Sequence, residues 1–174
     1  MISKNFPIGF FDSGVGGTSI WKEVITLLPK EHTIYLSDSL NAPYGEKSKE
    51  DIITLCKKNT EFLLEKNCKL IVVACNTATT NAITILRNMY HIPFIGIEPA
   101  IKPAALITKT KKIGILATKG TLNSTLFEAT SIAVGKDIQI KEIIGIGLVE
   151  LIESDKLKCK EMTSLHSFYL RPKL

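Results

Sequence analysis

Nothing in this sequence approaches the roughly 20 consecutive apolar residues that a bilayer-spanning helix needs; the longest clean apolar run is Leu70 to Ala74 with its flanks. A helical membrane span is therefore excluded. The first residues, Met1-Ile2-Ser3-Lys4-Asn5, lead straight into a strand-like segment, with no apolar stretch and small-residue cleavage site of the kind that directs export. A cytoplasmic protein is expected. The four cysteines, Cys56, Cys68, Cys75 and Cys159, include no Cys-x-x-Cys pair, and His32, His91 and His166 are scattered, so neither a disulfide framework nor a zinc or other metal site is expected. An excess of one charge is also missing: 22 Lys and Arg face 17 Asp and Glu. Lys109, Lys111 and Lys112 read as a solvated strand entrance rather than a nucleic-acid patch, and no nucleic acid is expected as a partner. With 45% apolar residues in 174, the chain is too apolar and too weakly charged for a disordered tail, and long enough for one large domain or two small ones.

Short apolar runs rich in β-branched and aromatic residues predict strands at Ile8 to Phe11, Thr33 to Ser37, Leu70 to Ala74, Phe94 to Ile97, Ile113 to Ala117 and Ile138 to Ile144. Between them, helical spacing links Ile20, Val24, Leu27 and Leu28; Ile52, Leu55, Cys56, Phe62 and Leu63; Ala82, Ile85, Leu86 and Met89; and Leu122, Leu126 and Ala129. Alternation of this kind predicts βαβ units and a parallel sheet covered by helices on both faces. Ligands of such sheets bind beyond the carboxyl ends of the strands, so the residues just after each strand are the ones to inspect. A faint internal repeat pairs Ile8 with Ile113, Gly9 with Gly114, Ser13 with Thr118, Ser19 with Ser124 and Glu23 with Glu128. If it reflects duplication, the counterpart of Cys75 would fall beyond Leu174.

Cys75 closes the most apolar strand and precedes Asn76-Thr77-Ala78-Thr79-Thr80, a polar segment opening a helix. Unpaired N–H groups and the helix dipole there are expected to favour the thiolate and lower its pKa, giving a nucleophile or base. Cys56, on a helix's apolar face, and Cys68, in a turn, read as structural, and Cys159 reads as part of a charged helix between Lys158 and Lys160. Asp12-Ser13-Gly14-Val15-Gly16-Gly17 follows the first strand, but it lacks the Lys-Ser/Thr ending of a phosphate-binding loop and the full Gly-x-Gly-x-x-Gly pattern. A carboxylate in that place suits holding an ammonium group or orienting a nearby base. Tyr44, fixed between Pro43 and Gly45, offers a hydroxyl or backbone N–H groups to a ligand, or is an ordinary turn. Thr118 and Thr121 either grip a carboxylate or cap a helix. Glu150 alone would be read as a surface acid on a short helix. His166, sharing a helix face with Met162 and Tyr169, is expected to be a partly buried structural histidine.

Together, Ile8-Gly9-Phe10-Phe11-Asp12-Ser13-Gly14-Val15-Gly16-Gly17, Pro43-Tyr44-Gly45, Val73-Ala74-Cys75-Asn76-Thr77-Ala78-Thr79, Gly96-Ile97-Glu98-Pro99-Ala100-Ile101-Lys102-Pro103-Ala104 and Ala117-Thr118-Lys119-Gly120-Thr121 resemble the glutamate racemases of bacteria, in order and spacing, from about Pro7 to Glu153. The resemblance implies two pseudo-symmetric, flavodoxin-like α/β domains with parallel sheets and the active site between them, here residues 1–97 and 98–174. It implies a cofactor-independent racemase acting on glutamate, supplying D-glutamate for peptidoglycan and hence for cell wall and cell shape. Cys75 would be one of two catalytic thiols, Asp12 would orient or tune it, and Glu150 would assist the opposite side. Ser13, Tyr44, Gly45, Asn76, Thr77, Thr118 and Thr121 would hold the substrate's carboxylates and ammonium. The oligomeric state is left open, a homodimer included.

The sequence departs from the family at one place: the Cys-Thr-His that carries the second thiol is absent from these 174 residues. The second domain is accordingly expected to be incomplete, and the chain weakly active or inactive. Aspartate racemase or a related superfamily isomerase is the nearest alternative, and a non-catalytic amino-acid-binding fragment is another. A Cys-dependent phosphatase is set aside, because the Cys-x5-Arg it needs has Asn81 at the Arg position.

Overall fold

In a computed structural model that describes residues 3–135 and 137–170, the chain divides into two compact units, Met1–Glu98 and Pro99–Leu174. The first carries strands β1 (Ile8–Asp12), β2 (Thr33–Ser37), β3 (Leu70–Val73) and β4 (Phe94–Gly96), with helices α1 (Thr18–Leu27), α2 (Lys49–Glu65) and α3 (Asn76–Met89). All four strands are parallel, in the order β2-β1-β3-β4. That order is the one expected when successive βαβ units wind outward from a first, central strand.

β1 is buried along its whole length because both its faces are covered. Ile8, Phe10 and Val72 pack against Ile20, Trp21 and Val24 of α1. On the other face Gly9 lies against Leu63 and Cys68, and Gly96 lies against Thr79 and Ile83, so α2 and α3 cover that side. Register explains the division: Gly9 pairs with Ile71, Phe11 with Val73 and Val73 with Gly96, so those residues share one face.

α2 starts at Ser48, whose hydroxyl accepts from Asp51 N–H, with Glu50 and Asp51 in the first turn. Its buried stripe is Ile52, Cys56, Asn59, Thr60 and Leu63. Phe62, expected on that stripe, is 40% exposed, with the Lys66 ammonium 5.2 Å from its ring centroid. The helical period runs Ile52, Cys56, Asn59, Leu63, which leaves Phe62 about 100° off the buried line.

The second unit holds α4 (Ile101–Ile107), β5 (Lys112–Ala117), α5 (Lys119–Leu122), α6 (Thr125–Ala133), β6 (Gln139–Ile144), α7 (Leu148–Glu153) and α8 (Lys160–Leu170). β5 and β6 form a parallel pair. Ile101, Ile113, Leu122 and Phe127 make its core, with Ile115, Ala117 and Ile140 packed against them. Here the expectation of helices on both faces is corrected: Ile113 is buried, whereas Lys112, Gly114 and Leu116 on the opposite face are exposed. α4 is a helix that spacing did not mark; Pro103 is its third residue, where a missing N–H costs no intrahelical bond. α7 opens on Gly147, whose φ of 82° is the left-handed conformation that glycine adopts without strain.

Two further expectations are corrected in this unit. Cys159 lies ahead of α8 rather than inside a helix, and its sulfur accepts from Met162 N–H at 3.3 Å. His166 is exposed, while Tyr169 is buried and its hydroxyl donates to the Ile146 carbonyl at 3.0 Å. Met162, Leu165 and Tyr169 form the inward stripe of α8, and His166 stands one step off it.

Candidate active site

The carboxyl ends of β1 and β3 are neighbours, because those strands pair. Asp12 is the last residue of β1, and Cys75 lies two residues beyond β3, as the residue that caps α3. Cys75 is in an extended conformation, which turns its side chain back over the start of the helix. Its sulfur accepts from Ala78 N–H at 3.5 Å and lies 3.5 Å from Ser13 Oγ.

Asp12 is 5% exposed and held by the loop that follows it. Oδ1 accepts from Ser13 N–H at 2.7 Å and from Ser13 Oγ at 3.4 Å, and Oδ2 accepts from Gly17 N–H at 2.7 Å. The carboxylate thus fixes the Ser13–Gly17 turn and occupies the N–H that opens α1, where negative charge is favoured. Gly17 is required by closeness: a Cβ there would sit 2.8 Å from Ala74 Cβ and from Tyr35 Oη. The same turn is pinned from β2, since Tyr35 Oη and Ser37 Oγ both donate to the Gly14 carbonyl, at 3.2 and 2.8 Å.

This setting reverses the expectation of a lowered thiol pKa. Burial pushes Cys75 from the ordinary thiol value of 9.0 to about 11, the Asp12 charge adds to the rise, and the hydrogen bonds from Ser13 and Ala78 oppose it. The thiol is 7% exposed, so loss of water outweighs the helix start. Cys75 rests as a neutral thiol.

Tyr44 and Gly45 belong to a short 3-10 turn, Tyr44–Glu46, that follows a cis Ala42–Pro43 peptide bond and packs on α3. Both residues are buried. Tyr44 Oη donates to Asp38 Oδ2 at 2.5 Å and accepts from Asn59 Nδ2 at 3.0 Å. Its hydroxyl is therefore spent inside the protein, and what the turn has to offer a ligand is its backbone. Burial and the Asp38 hydrogen bond push the Tyr44 pKa far up, so the phenol stays protonated. Asn76, the first residue of α3, is exposed, and Thr77 is buried beside it.

Asp12, Ser13, Tyr44, Gly45, Cys75, Asn76 and Thr77 are thus all in the first unit, at the carboxyl end of its sheet or on the turn that packs on α3. Thr118, Thr121 and Glu150 are in the second. Thr118 follows β5 and caps α5, its Oγ1 accepting from Thr121 N–H at 3.3 Å and donating to Thr121 Oγ1 at 3.1 Å. Thr121 is 1% exposed. Glu150 is in the first turn of α7 and exposed. Sequence reasoning passed over Asn59, whose signal is its place on the buried stripe of α2; Cys56, read as structural, is fully buried on the same stripe. Among the described residues no cluster of three or more His, Cys, Asp or Glu is placed to hold a metal ion, and no helix is long and apolar enough to cross a membrane.

The first unit is an α/β protein of the doubly wound class, with its polar site beyond the carboxyl ends of a parallel sheet. More narrowly, the chain belongs to the Asp/Glu/Hydantoin racemase family, whose model matches residues 14–165. It is similar to the glutamate racemase of Herpetosiphon aurantiacus, 44% identical over 98% of this chain and 67% of the relative. The glutamate racemase of Clostridium botulinum is 49% identical over 93% of this chain and 63% of its own. Among solved structures, Escherichia coli glutamate racemase, in complex with L-glutamate and the activator UDP-MurNAc-ala, superposes with a TM-score of 0.85 at 35% identity, covering 97% of this chain and 65% of that one. The chain therefore spans about two thirds of the length of these relatives.

Proposed function

We propose that this chain carries the first half-reaction of a glutamate racemase: removal of the α-proton of glutamate by Cys75 without a cofactor. One observation carries the reading, the Cys75 thiol beside Asp12 and Ser13 at adjoining parallel-strand ends. The names of the relatives support glutamate as the amino acid. The α-hydrogen is a weak acid, so its removal needs a close base and fixed dipoles that stabilise the carbanion. A neutral, buried thiol is a poor base until charge compensates its ionisation. The substrate's ammonium group supplies that charge, since a cation beside a thiol favours the thiolate. As the ammonium enters, the thiol proton is lost to water; the α-proton then passes to the Cys75 thiolate Sγ, and the C–H electron pair delocalises into the adjacent carboxylate. Asp12 and Ser13 position the thiol and the ammonium, and the backbone of Tyr44, Gly45, Asn76 and Thr77 holds the carboxylates.

Inversion needs an acid on the opposite face, and no Cys-Thr-His stands in the 174 residues. The reading for the chain alone is proton exchange at one face with little racemisation. The role that goes with the complete two-face reaction is supply of D-glutamate for peptidoglycan in the cytoplasm. Aspartate, with a side chain one methylene shorter, is the competing substrate.

The test is incubation of the chain with D-glutamate in D2O, following α-deuterium and optical rotation together, with Cys75→Ser as control. Cys75-dependent deuterium gain is the expected result. No exchange in a folded chain that still binds D-glutamate would favour the binding-only reading, for which the raised thiol pKa is the one specific observation. Faster exchange with aspartate would move the assignment to that substrate.

A further inference from the structure

Asn59 is a polar side chain in a place built for an apolar one. It lies on the buried stripe of α2, between Cys56 and Leu63, and is 5% exposed. Burying an amide costs free energy unless its hydrogen bonds are made, and a leucine would meet the helical pattern at no such cost. What the amide does there is visible in the bonds. Asn59 Nδ2 donates to Tyr44 Oη at 3.0 Å, and Tyr44 Oη donates to Asp38 Oδ2 at 2.5 Å. Asp38 Oδ1 accepts in turn from Asn41 Nδ2 at 2.8 Å.

The direction of this chain of bonds follows from its first member. An amide NH2 only donates, so the Tyr44 hydroxyl must accept from Asn59, and its one proton is left for Asp38. Asp38, Asn41 and Tyr44 are the start, middle and far side of one loop, and each is tied. The turn Tyr44–Glu46 at its end packs on α3, the helix that Cys75 caps. Cys56, one turn before Asn59, is fully buried, and α2 packs on α3, the helix that Cys75 caps.

We propose that Asn59 is a positioning residue that sets the 38–46 loop through Tyr44 and Asp38, so that the backbone of Tyr44 and Gly45 is held ready for the substrate's carboxylate. The substrate part of this proposal rests on the function proposed above, and the loop part stands without it. Asn59 touches no substrate and acts through Tyr44.

The experiment uses the whole chain and two readouts. Amide hydrogen exchange over residues 38–47 is expected to be at least tenfold faster in Asn59→Leu, which removes the donor, and in Asn59→Asp, which keeps the shape and removes the NH2. Exchange in β1 and β3 is expected to be unchanged. The second readout is protection of Cys75 from iodoacetamide by D-glutamate: the half-protecting concentration is expected to rise at least tenfold, while the alkylation rate without ligand stays within twofold. A merely structural role would loosen β1 and β3 as well and would not separate protected from unprotected rates. Loop exchange within twofold of the parent overturns the proposal, as does faster loop exchange with unchanged protection. If the parent itself is not protected, the proposed function fails and loop exchange alone decides on Asn59. If the Asn59 variants do not fold, Tyr44→Phe, which keeps the ring and removes the relay hydroxyl, must give the same faster loop, and a loop that exchanges as in the parent overturns the proposal.

Discussion

Raising the pH above 9 should destabilise the first unit through Cys75, by an amount that follows from its surroundings. The folded thiol holds its proton up to about pH 11, against 9.0 for an ordinary thiol. Between those values the folded state binds more protons than the unfolded state, so unfolding free energy falls as pH rises; the Cys75 contribution is full below pH 9 and lost through pH 11. With roughly 1.4 kcal/mol per pKa unit, the whole loss is about 3 kcal/mol, and the slope near pH 10 is about 1 kcal/mol per pH unit. Cys56 is raised in the same direction by burial and adds to the loss, so the comparison that isolates Cys75 is with Cys75→Ala. Urea denaturation of both proteins between pH 8 and pH 10.5 measures it: the parent should lose stability more steeply than the variant, by that slope. The same ionisation limits chemistry, since at pH 8 roughly one Cys75 in a thousand is thiolate, about a hundredfold less than a free thiol. Equal pH slopes for parent and Cys75→Ala, or a Cys75 alkylation profile that levels off below pH 9, would refute a burial-dominated thiol. Asp12→Asn, which removes the second cause of the rise, should move that profile to lower pH.

Three other outcomes follow from local geometry. Gly17→Ala forces a Cβ to within 2.8 Å of Ala74 Cβ in a rigid strand-end turn, and should cost about 1–3 kcal/mol in a denaturation curve and loosen the Asp12 clamp. Thr60 buries its hydroxyl without a hydrogen-bond partner, so Thr60→Val should raise stability by about 1 kcal/mol, read as an upward shift in Tm. Under iodoacetamide at pH 8, Cys159, the one half-exposed cysteine, should be alkylated before Cys56, Cys68 and Cys75, as peptide mass spectrometry would show.

The strands were legible because each is a short run of β-branched and aromatic residues between turn residues, and burial of both faces of β1 and β3 removes the alternation that would have blurred them. The candidate residues at the strand ends were legible for the same reason: Asp12 and Cys75 stand where apolar runs give way to polar turns. What escaped was set by neighbours that no local pattern names. Asn59 and Thr60 take the buried line of α2, where Asn59 donates to Tyr44 Oη, and Phe62 lies outside it beside Lys66. The Cys75 pKa has the opposite sign from its local reading because the helix start acts over one turn, whereas burial and Asp12 come from tertiary structure. Tyr44 was legible as a fixed residue, but the use of its hydroxyl depends on Asp38, six residues away, and Asn59 on another helix. In the second unit, Ile113 and Leu116 are equally apolar in sequence, and only the side on which Ile101, Leu122 and Phe127 pack tells them apart.

The most direct measurement is tritium release to water from α-tritiated D- and L-glutamate, each incubated separately with the chain and with Cys75→Ala. A single thiol base on one face of the substrate should release tritium from one enantiomer, with loss of that release in Cys75→Ala. Release that persists without Cys75, or none from either enantiomer with a folded chain that binds glutamate, would contradict Cys75 as the base.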